Sequence, residues 1–161
     1  MAGPEQAKGP EVPGTPPEAD VHAWAVEQAA HLRARAWDRL DAEQVAEAIE
    51  GLAFIERHRL AETLQGLLRH LLKWDHRPEG RTRGWTAAIW NGRLDAEALL
   101  RDSPSLGPAL GEVLGPAYAK ARIEAADDLG LTEDVFPKAC PYDFETALTR
   151  PIPWASANGD A

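Results

Sequence analysis

An all-α fold, a compact multi-helix bundle preceded by a disordered Pro/Gly-rich N-terminal arm, is predicted by three observations. From Asp20 to Trp154 the apolar residues recur at three- and four-residue steps, with almost none of the period-two alternation that a half-buried strand requires. Asp20, Asp41, Thr82, Ser103 and Asp143 stand just ahead of such stretches, where a side-chain oxygen can cap a helix N-terminus. Pro and Gly close them, as helix ends require.

The elements follow in chain order. Residues 1–19 hold Pro4, Pro10, Pro13, Pro16 and Pro17 with Gly3, Gly9 and Gly14, and beyond Met1 only Val12 is a sizeable apolar side chain. Such a segment cannot bury enough surface to offset its ordering entropy, so it is predicted to be a disordered arm. A first helix runs from Asp20 to about Ala36, with Val21, Trp24, Ala25, Ala29 and Leu32 as its apolar stripe. Trp37 and Leu40 fall in a connection, and Asp41 opens a pattern that lasts to about Trp74. As a single helix this would be roughly 50 Å long at about 1.5 Å per residue, against a radius of gyration near 14 Å for about 135 compact residues. The stripe also slips, from Val45, Ile49 and Leu52 to Leu60, Leu64, Leu67 and Leu71, so a kink or short break is predicted near Gly51 to Glu56.

Pro78 and Gly80 end that pattern, and Thr82 caps a helix to about Arg101 with Trp85, Ile89, Ala96 and Leu99 inward. Ser103 with Pro104 reads as a cap with proline in the first turn, opening a helix whose inner face is Leu106, Leu110 and Leu114. Pro116 is expected to kink or restart it before Gly130 ends it. Residues 131–142 read as irregular, and Asp143 caps a last short helix to Leu148, stopped by Pro151 and Pro153. The organisation predicted is thus an arm over 1–19, one helical domain over 20–154 and a flexible tail over 155–161.

A formal net charge of -9 weakens any broad phosphate-driven attraction to nucleic acid, which depends on accumulated Lys and Arg. Cys140 is the sole cysteine, so neither an internal disulfide nor a cysteine-based zinc framework can form, and a reducing, cytoplasmic setting is expected. The start of the chain lacks the pattern of a secretory signal, and no apolar run approaches the roughly 20 residues of a membrane span.

The densest chemistry lies in residues 70–90, which hold three of the six tryptophans. Arg69, Lys73 and Arg77 fall at four-residue steps on one helical face and lead into Arg81 and Arg83, a cationic edge suited to an acidic or phosphorylated partner. The competing reading makes the tryptophans packing anchors and lets the cations neutralise the acidic segment 38–56 within the domain. Glu56 falls where the stripe calls for an apolar residue, and a desolvated carboxylate there could act as a general acid or base. Pairing with an arginine explains it as well. His70, on the flank of the leucine stripe, is a candidate proton carrier or an interfacial hydrogen-bonding residue. Glu43, Glu47 and Glu50 share one helical face, read as solvated and not as a metal site. Cys140 reads as a packing residue, and there is no Walker loop, dinucleotide-binding glycine motif or His-Glu-x-x-His pair.

Several stretches together resemble a bacterial family known only as domain of unknown function 29. They are Ala23-Trp24, Gln28-Ala29, Ala48-Ile49-Glu50 with Leu52, His70 to Trp74, Pro78-Glu79 with Trp85, Ser103 to Leu106, Ala117-Tyr118, and Phe136-Pro137 with Cys140 to Tyr142. The chain departs from the family's pattern at Asp75 and His76, where glutamine and an aromatic are usual, and at Ala53 and Gly84, where glycine and serine are frequent. The resemblance implies an all-helical fold and a bacterial source, and brings no activity with it.

The function expected is a macromolecular interaction or adaptor module that binds a protein partner through Lys73, Arg77, Arg81 and Arg83, with no metal and no cofactor. Self-association is compatible with it. The alternative is a small metal-assisted hydrolase acting on a phosphorylated substrate, with Glu47, Glu50 or Glu56 as acids and Arg77 and Arg81 as anion clamps.

Overall fold

The structure, a computed structural model, describes residues 14–156. Among the described residues five α-helices follow one another: α1 (Val21–Ala34), α2 (Ala42–His76), α3 (Arg83–Asp102), α4 (Leu110–Leu129) and α5 (Phe144–Thr149). Short 3-10 turns over Trp37–Arg39, Pro78–Gly80, Pro104–Ala109 and Glu133–Val135 link them, and no strand occurs among the described residues. The fold is all-α, as predicted. None of these helices is long and apolar enough to cross a membrane.

Four of the five predicted caps form. Asp20 Oδ1 accepts from the Ala23 amide at 2.9 Å, Asp41 Oδ1 from Gln44 at 3.2 Å, Thr82 Oγ1 from Trp85 at 3.2 Å and Asp143 Oδ1 from Thr146 at 2.6 Å. Gly130 ends α4 at φ 62, a left-handed conformation that glycine adopts without steric cost. Arg35 takes the same conformation at φ 55 to end α1, bearing the strain that a side chain incurs there.

Three sequence expectations are corrected. The break near Gly51 to Glu56 is absent: α2 is one continuous helix of 35 residues. Gly51 lowers helix propensity by only about 1 kcal/mol and still donates its backbone N–H, so it does not interrupt the ladder. Pro116 does not restart α4 but lies inside it, on an exposed stretch where the Glu112 carbonyl deprived of a donor can be hydrated. Ser103 makes no side-chain cap, and Pro104–Ala109 is a 3-10 turn before α4 starts at Leu110. The inner face of α4 is consequently Val113, Ala117, Ala121 and Ala125, with Leu110 and Leu114 only partly buried.

The chain's internal contacts divide the expected single domain into two compact units, residues 1–53 and 54–161. In the first, α1 and the start of α2 form a hairpin. Buried Gln28 on α1 accepts from the Asp41 amide at 2.9 Å, which ties the two helices together at the turn. Of the predicted arm, residues 1–13 lie outside the described residues; Pro16 accepts from the Ala19 amide at 3.0 Å in a turn, and the Thr15 amide donates to the Glu27 carboxylate at 3.3 Å.

The second unit is a helical bundle. Leu60, Leu64, Leu67, Leu68, Leu71 and Leu72 of α2 form the centre of its core, against Ile89 and Ala96 of α3 and the alanine face of α4. A Cβ built at Gly92 would lie 3.2 Å from Leu67 Cβ, so α3 crosses α2 closely at that point. Phe136, Tyr142, Ala147 and Ile152 close the core from the C-terminal segment. Of the predicted tail, residues 157–161 lie outside the described residues, while Ala155 packs against the core.

Candidate functional site

The cationic turn is built by the end of α2, the Pro78–Gly80 turn and the start of α3. Lys73, only 7% exposed, is buried at the end of the leucine face. Its ammonium lies 2.7 Å from the Asp128 carboxylate of α4 and 4.7 Å from the centre of the Trp85 ring. Arg69 Nε donates to the same carboxylate at 2.8 Å, and Arg69 also approaches Glu124 at 3.5 Å. The counter-charges of this pair are therefore on α4 and not in the acidic segment 38–56.

The other cations each have an intramolecular partner. Arg77 pairs with Glu79 at 2.7 Å. Arg81 Nε donates to the Trp74 carbonyl at 2.9 Å while its guanidinium lies 4.5 Å over the Trp74 ring. Arg83 lies 4.9 Å over Trp154. Gly80 lets the turn close, because a Cβ there would come within 2.9 Å of Arg77 and 3.2 Å of Trp85. Trp74 and Trp85 thus act as packing anchors with arginine and lysine stacked on them, contacts worth about 0.5–2 kcal/mol each.

Arg69 and Lys73 together hold the Asp128 carboxyl at a pKa of about 2, mainly through the Arg69 hydrogen bond. The folded value lies below the ordinary 3.8, so the stabilisation is present above about pH 4 and disappears as pH falls towards 2. With solvent screening at this partly exposed carboxylate, about 1 kcal/mol is expected. Urea midpoints measured at pH 5 and pH 3 should therefore differ less in Asp128→Asn than in the parent chain; equal pH dependence in both would remove the clamp from the stability of the bundle.

Glu56 and His70 are not brought together. Both lie on α2, fourteen residues apart, which is about 21 Å along the axis at 1.5 Å per residue. Acid–base partners need hydrogen-bond reach of each other or of a shared substrate. Glu56 instead pairs with Arg59 at 3.0 Å and lines an open cleft with Thr63, Asp95 and Asp102. His70 is half-buried, its Nδ1 2.8 Å from the Gly66 carbonyl, and burial lowers its pKa below the ordinary histidine value. Among the described residues no group of three or more His, Cys, Asp or Glu side chains is placed to hold a metal ion. Cys140 is half-buried, its thiol donates to the Tyr142 carbonyl at 3.2 Å, and burial raises its pKa away from the reactive thiolate.

One polar cluster was not visible in the sequence. Asp75 accepts from the Tyr142 hydroxyl at 2.7 Å and from both terminal nitrogens of Arg150 at 2.9 Å, and Arg150 stacks 5.5 Å over the Tyr142 ring. Arg93 of α3 donates to the carbonyls of Ala147 and Arg150 at 2.9 and 2.7 Å. These bonds fasten α5 and the following segment to the bundle. The only sequence signal was the pair of charges at 75 and 150, too far apart for any local pattern to join.

An uncovered apolar feature lies in the first unit. Trp24, Gln28 and Leu32 of α1 and Val45, Ile49 and Leu52 of α2 line an open groove between the two helices. Ile49 and Leu52 are 61% and 63% exposed, and Val21 is exposed on the same stripe of α1. The buried indole N–H of Trp24 in the groove wall has no acceptor among the described residues. Glu43, Glu47 and Glu50 lie on the opposite side of α2, so the groove itself has no acidic row along it.

Residues 18–151 match the family described as Domain of unknown function DUF29. The chain belongs to the DUF29 family. No curated protein and no solved structure matches it. In this DUF29 chain the stretches that carried the resemblance are largely structural: Leu71, Leu72, Lys73 and Trp74 are buried, as are Leu106, Tyr118, Phe136 and Tyr142 in the second unit and Trp24 and Gln28 in the first. Ile49 and Leu52, which are also among them, stand out because they are exposed.

Proposed function

We propose that this DUF29 domain is a macromolecular interaction module whose recognising surface is the apolar groove of the α1–α2 hairpin, and that the groove takes the same hairpin of a second copy. The observation that carries this reading is the exposure of Ile49 and Leu52 beside Trp24 and Leu32, a contiguous apolar surface of the kind soluble chains reserve for partners. The hairpin has two apolar stripes, and among the described residues of its unit no third helix covers them. A 14-residue helix such as α1 is marginal in isolation and gains most of its stability from a packed apolar face.

A second hairpin supplies the two missing stripes. Isologous pairing sets each stripe against its equivalent and completes a four-helix arrangement, the commonest route by which two such hairpins bury their faces. The cationic turn supports recognition less well, because Lys73 is buried on Asp128 and Arg81 is fixed to Trp74. The hydrolase reading is weakened by the separation of Glu56 from His70.

Sedimentation of the purified chain tests the proposal. A dimer is expected at micromolar concentration, and Ile49→Asp with Leu52→Asp is expected to raise its Kd at least 100-fold while the circular dichroism of the helices is retained. A chain that remains monomeric at about 100 µM, or a dimer indifferent to these two substitutions, would refute the self-association.

A further inference from the structure

The segment after α5 leaves the helix at Thr149 and crosses α3 without helical structure. Pro151 and Pro153 restrict its backbone and remove two of its amide donors, which favours an extended, polyproline-like strand. Its contacts with α3 are of two kinds. Main-chain groups are bound first: the Trp90 indole N–H donates to the Ile152 carbonyl at 3.2 Å, and the Ala155 amide donates to Thr86 Oγ1 at 3.2 Å. Two side chains add to these: Ile152 is buried against the core, while Trp154 lies with its ring 5.5 Å from that of Trp90 and under the Arg83 guanidinium at 4.9 Å.

Thr86 is fully buried, yet its hydroxyl is available to accept from this strand. Trp90 is part of a helix whose apolar side packs on the core, yet it is substantially exposed and turns its indole N–H to a peptide carbonyl. A buried hydroxyl, an indole donor and a stacked guanidinium, spaced along one helix face, bind the shape and main chain of an extended peptide and read little of its sequence. These are the features by which aromatic-lined surfaces recognise proline-containing strands.

We propose that the α3 face formed by Thr86, Trp90 and Arg83 is a binding site for extended proline-flanked peptides carrying an aromatic residue, occupied in this chain by its own residues 151–155. The site is separate from the hairpin groove and stands whether or not the chain dimerises. Tethering explains why the chain's own segment fills it: a strand held next to its site by a few residues acts at an effective concentration in the millimolar range. A peptide of the same form presented by another protein competes once the tethered strand is weakened or the competitor is itself held nearby.

The test uses the full chain and a labelled synthetic peptide, Arg-Pro-Ile-Pro-Trp-Ala-Ser, followed by fluorescence polarisation. The variant Ile152→Ser with Trp154→Ala frees the α3 face, and it is expected to bind the peptide at least tenfold more tightly than the parent chain, whose own strand competes. Adding Trp90→Ala is expected to abolish that binding, and Trp90→Phe, which keeps a ring but loses the N–H, to weaken it. A peptide of the same length with both prolines and the tryptophan replaced by alanine is expected to bind at least tenfold more weakly. Equal binding by parent and freed variant, no binding by the freed variant, or indifference to Trp90→Ala overturns the proposal. Should the freed variant lose thermal stability, added peptide must raise its Tm; a Tm unmoved by saturating peptide also overturns it.

Discussion

Leu67→Ala is expected to destabilise the second unit by about 3–4 kcal/mol, in the middle of the range of about 2–5 kcal/mol for leaving a cavity in place of a buried leucine. Leu67 is 1% exposed and sits where α3 crosses α2 closely at Gly92. The cost of such a substitution depends on how far the surroundings can collapse, and here two helix backbones are already near contact, so the void stays largely open. Urea denaturation should show a lower midpoint with an unchanged slope. Leu52→Ala on the same helix is the control, measured at concentrations low enough to keep the chain monomeric: Leu52 is mostly exposed in the single chain, and its loss should then shift stability by less than about 0.5 kcal/mol. Comparable losses at the two positions would mean that the apolar face of α2 is misplaced.

The contrast between these leucines also explains the main error in reading α2. From Leu52 to Leu60 is eight residues, which at 100° each moves the stripe about 80° around the helix. A slip of that size in the sequence reads as a broken helix. The helix is nevertheless unbroken, and the slip falls close to the boundary between the two units at residue 53. Helix termini were legible because caps are local: Asp20, Asp41, Thr82, Asp143 and Gly130 each act within four residues. Pro116 does not restart the helix because propensity describes a helix in isolation, whereas Val113, Ala117 and Ala121 on either side of it are held by the core.

Site chemistry was legible in kind and not in connection. Lys73, Arg77, Arg81 and Arg83 form a local cluster of cations, as their spacing indicates, and Trp74 and Trp85 anchor it. Their partners could not be read, since Asp128 lies 55 residues beyond Lys73 on a different helix. The hairpin stripe at Val45, Ile49 and Leu52 was seen as helical periodicity, but periodicity reports an apolar face and is silent on whether the chain itself covers it.

Asp75→Ala is expected to cost the second unit about 2–3 kcal/mol. Asp75 accepts three hydrogen bonds, two of them from the Arg150 guanidinium in a parallel fork, and bonds to charged groups are individually worth about 1.5–3 kcal/mol when desolvated. The two side chains are 29% and 31% exposed, so the sum must be reduced for hydration. Removing the carboxylate strands the Tyr142 hydroxyl, which is held by a ring buried in the core, and leaves Arg150 attached through its stack on that ring and its carbonyl's bond to Arg93. Arg150→Ala should be less costly, because Asp75 then keeps the Tyr142 bond and gains water. A double-mutant cycle separates the pair from these side effects, with a coupling of about 1–2 kcal/mol expected. The loss should be local as well: amides of α5 should exchange faster while those of the α2 leucine face stay protected. A coupling near zero would place Asp75 and Arg150 among surface pairs that add nothing, and the fastening of residues 142–155 would then rest on Arg93 and the buried side chains alone.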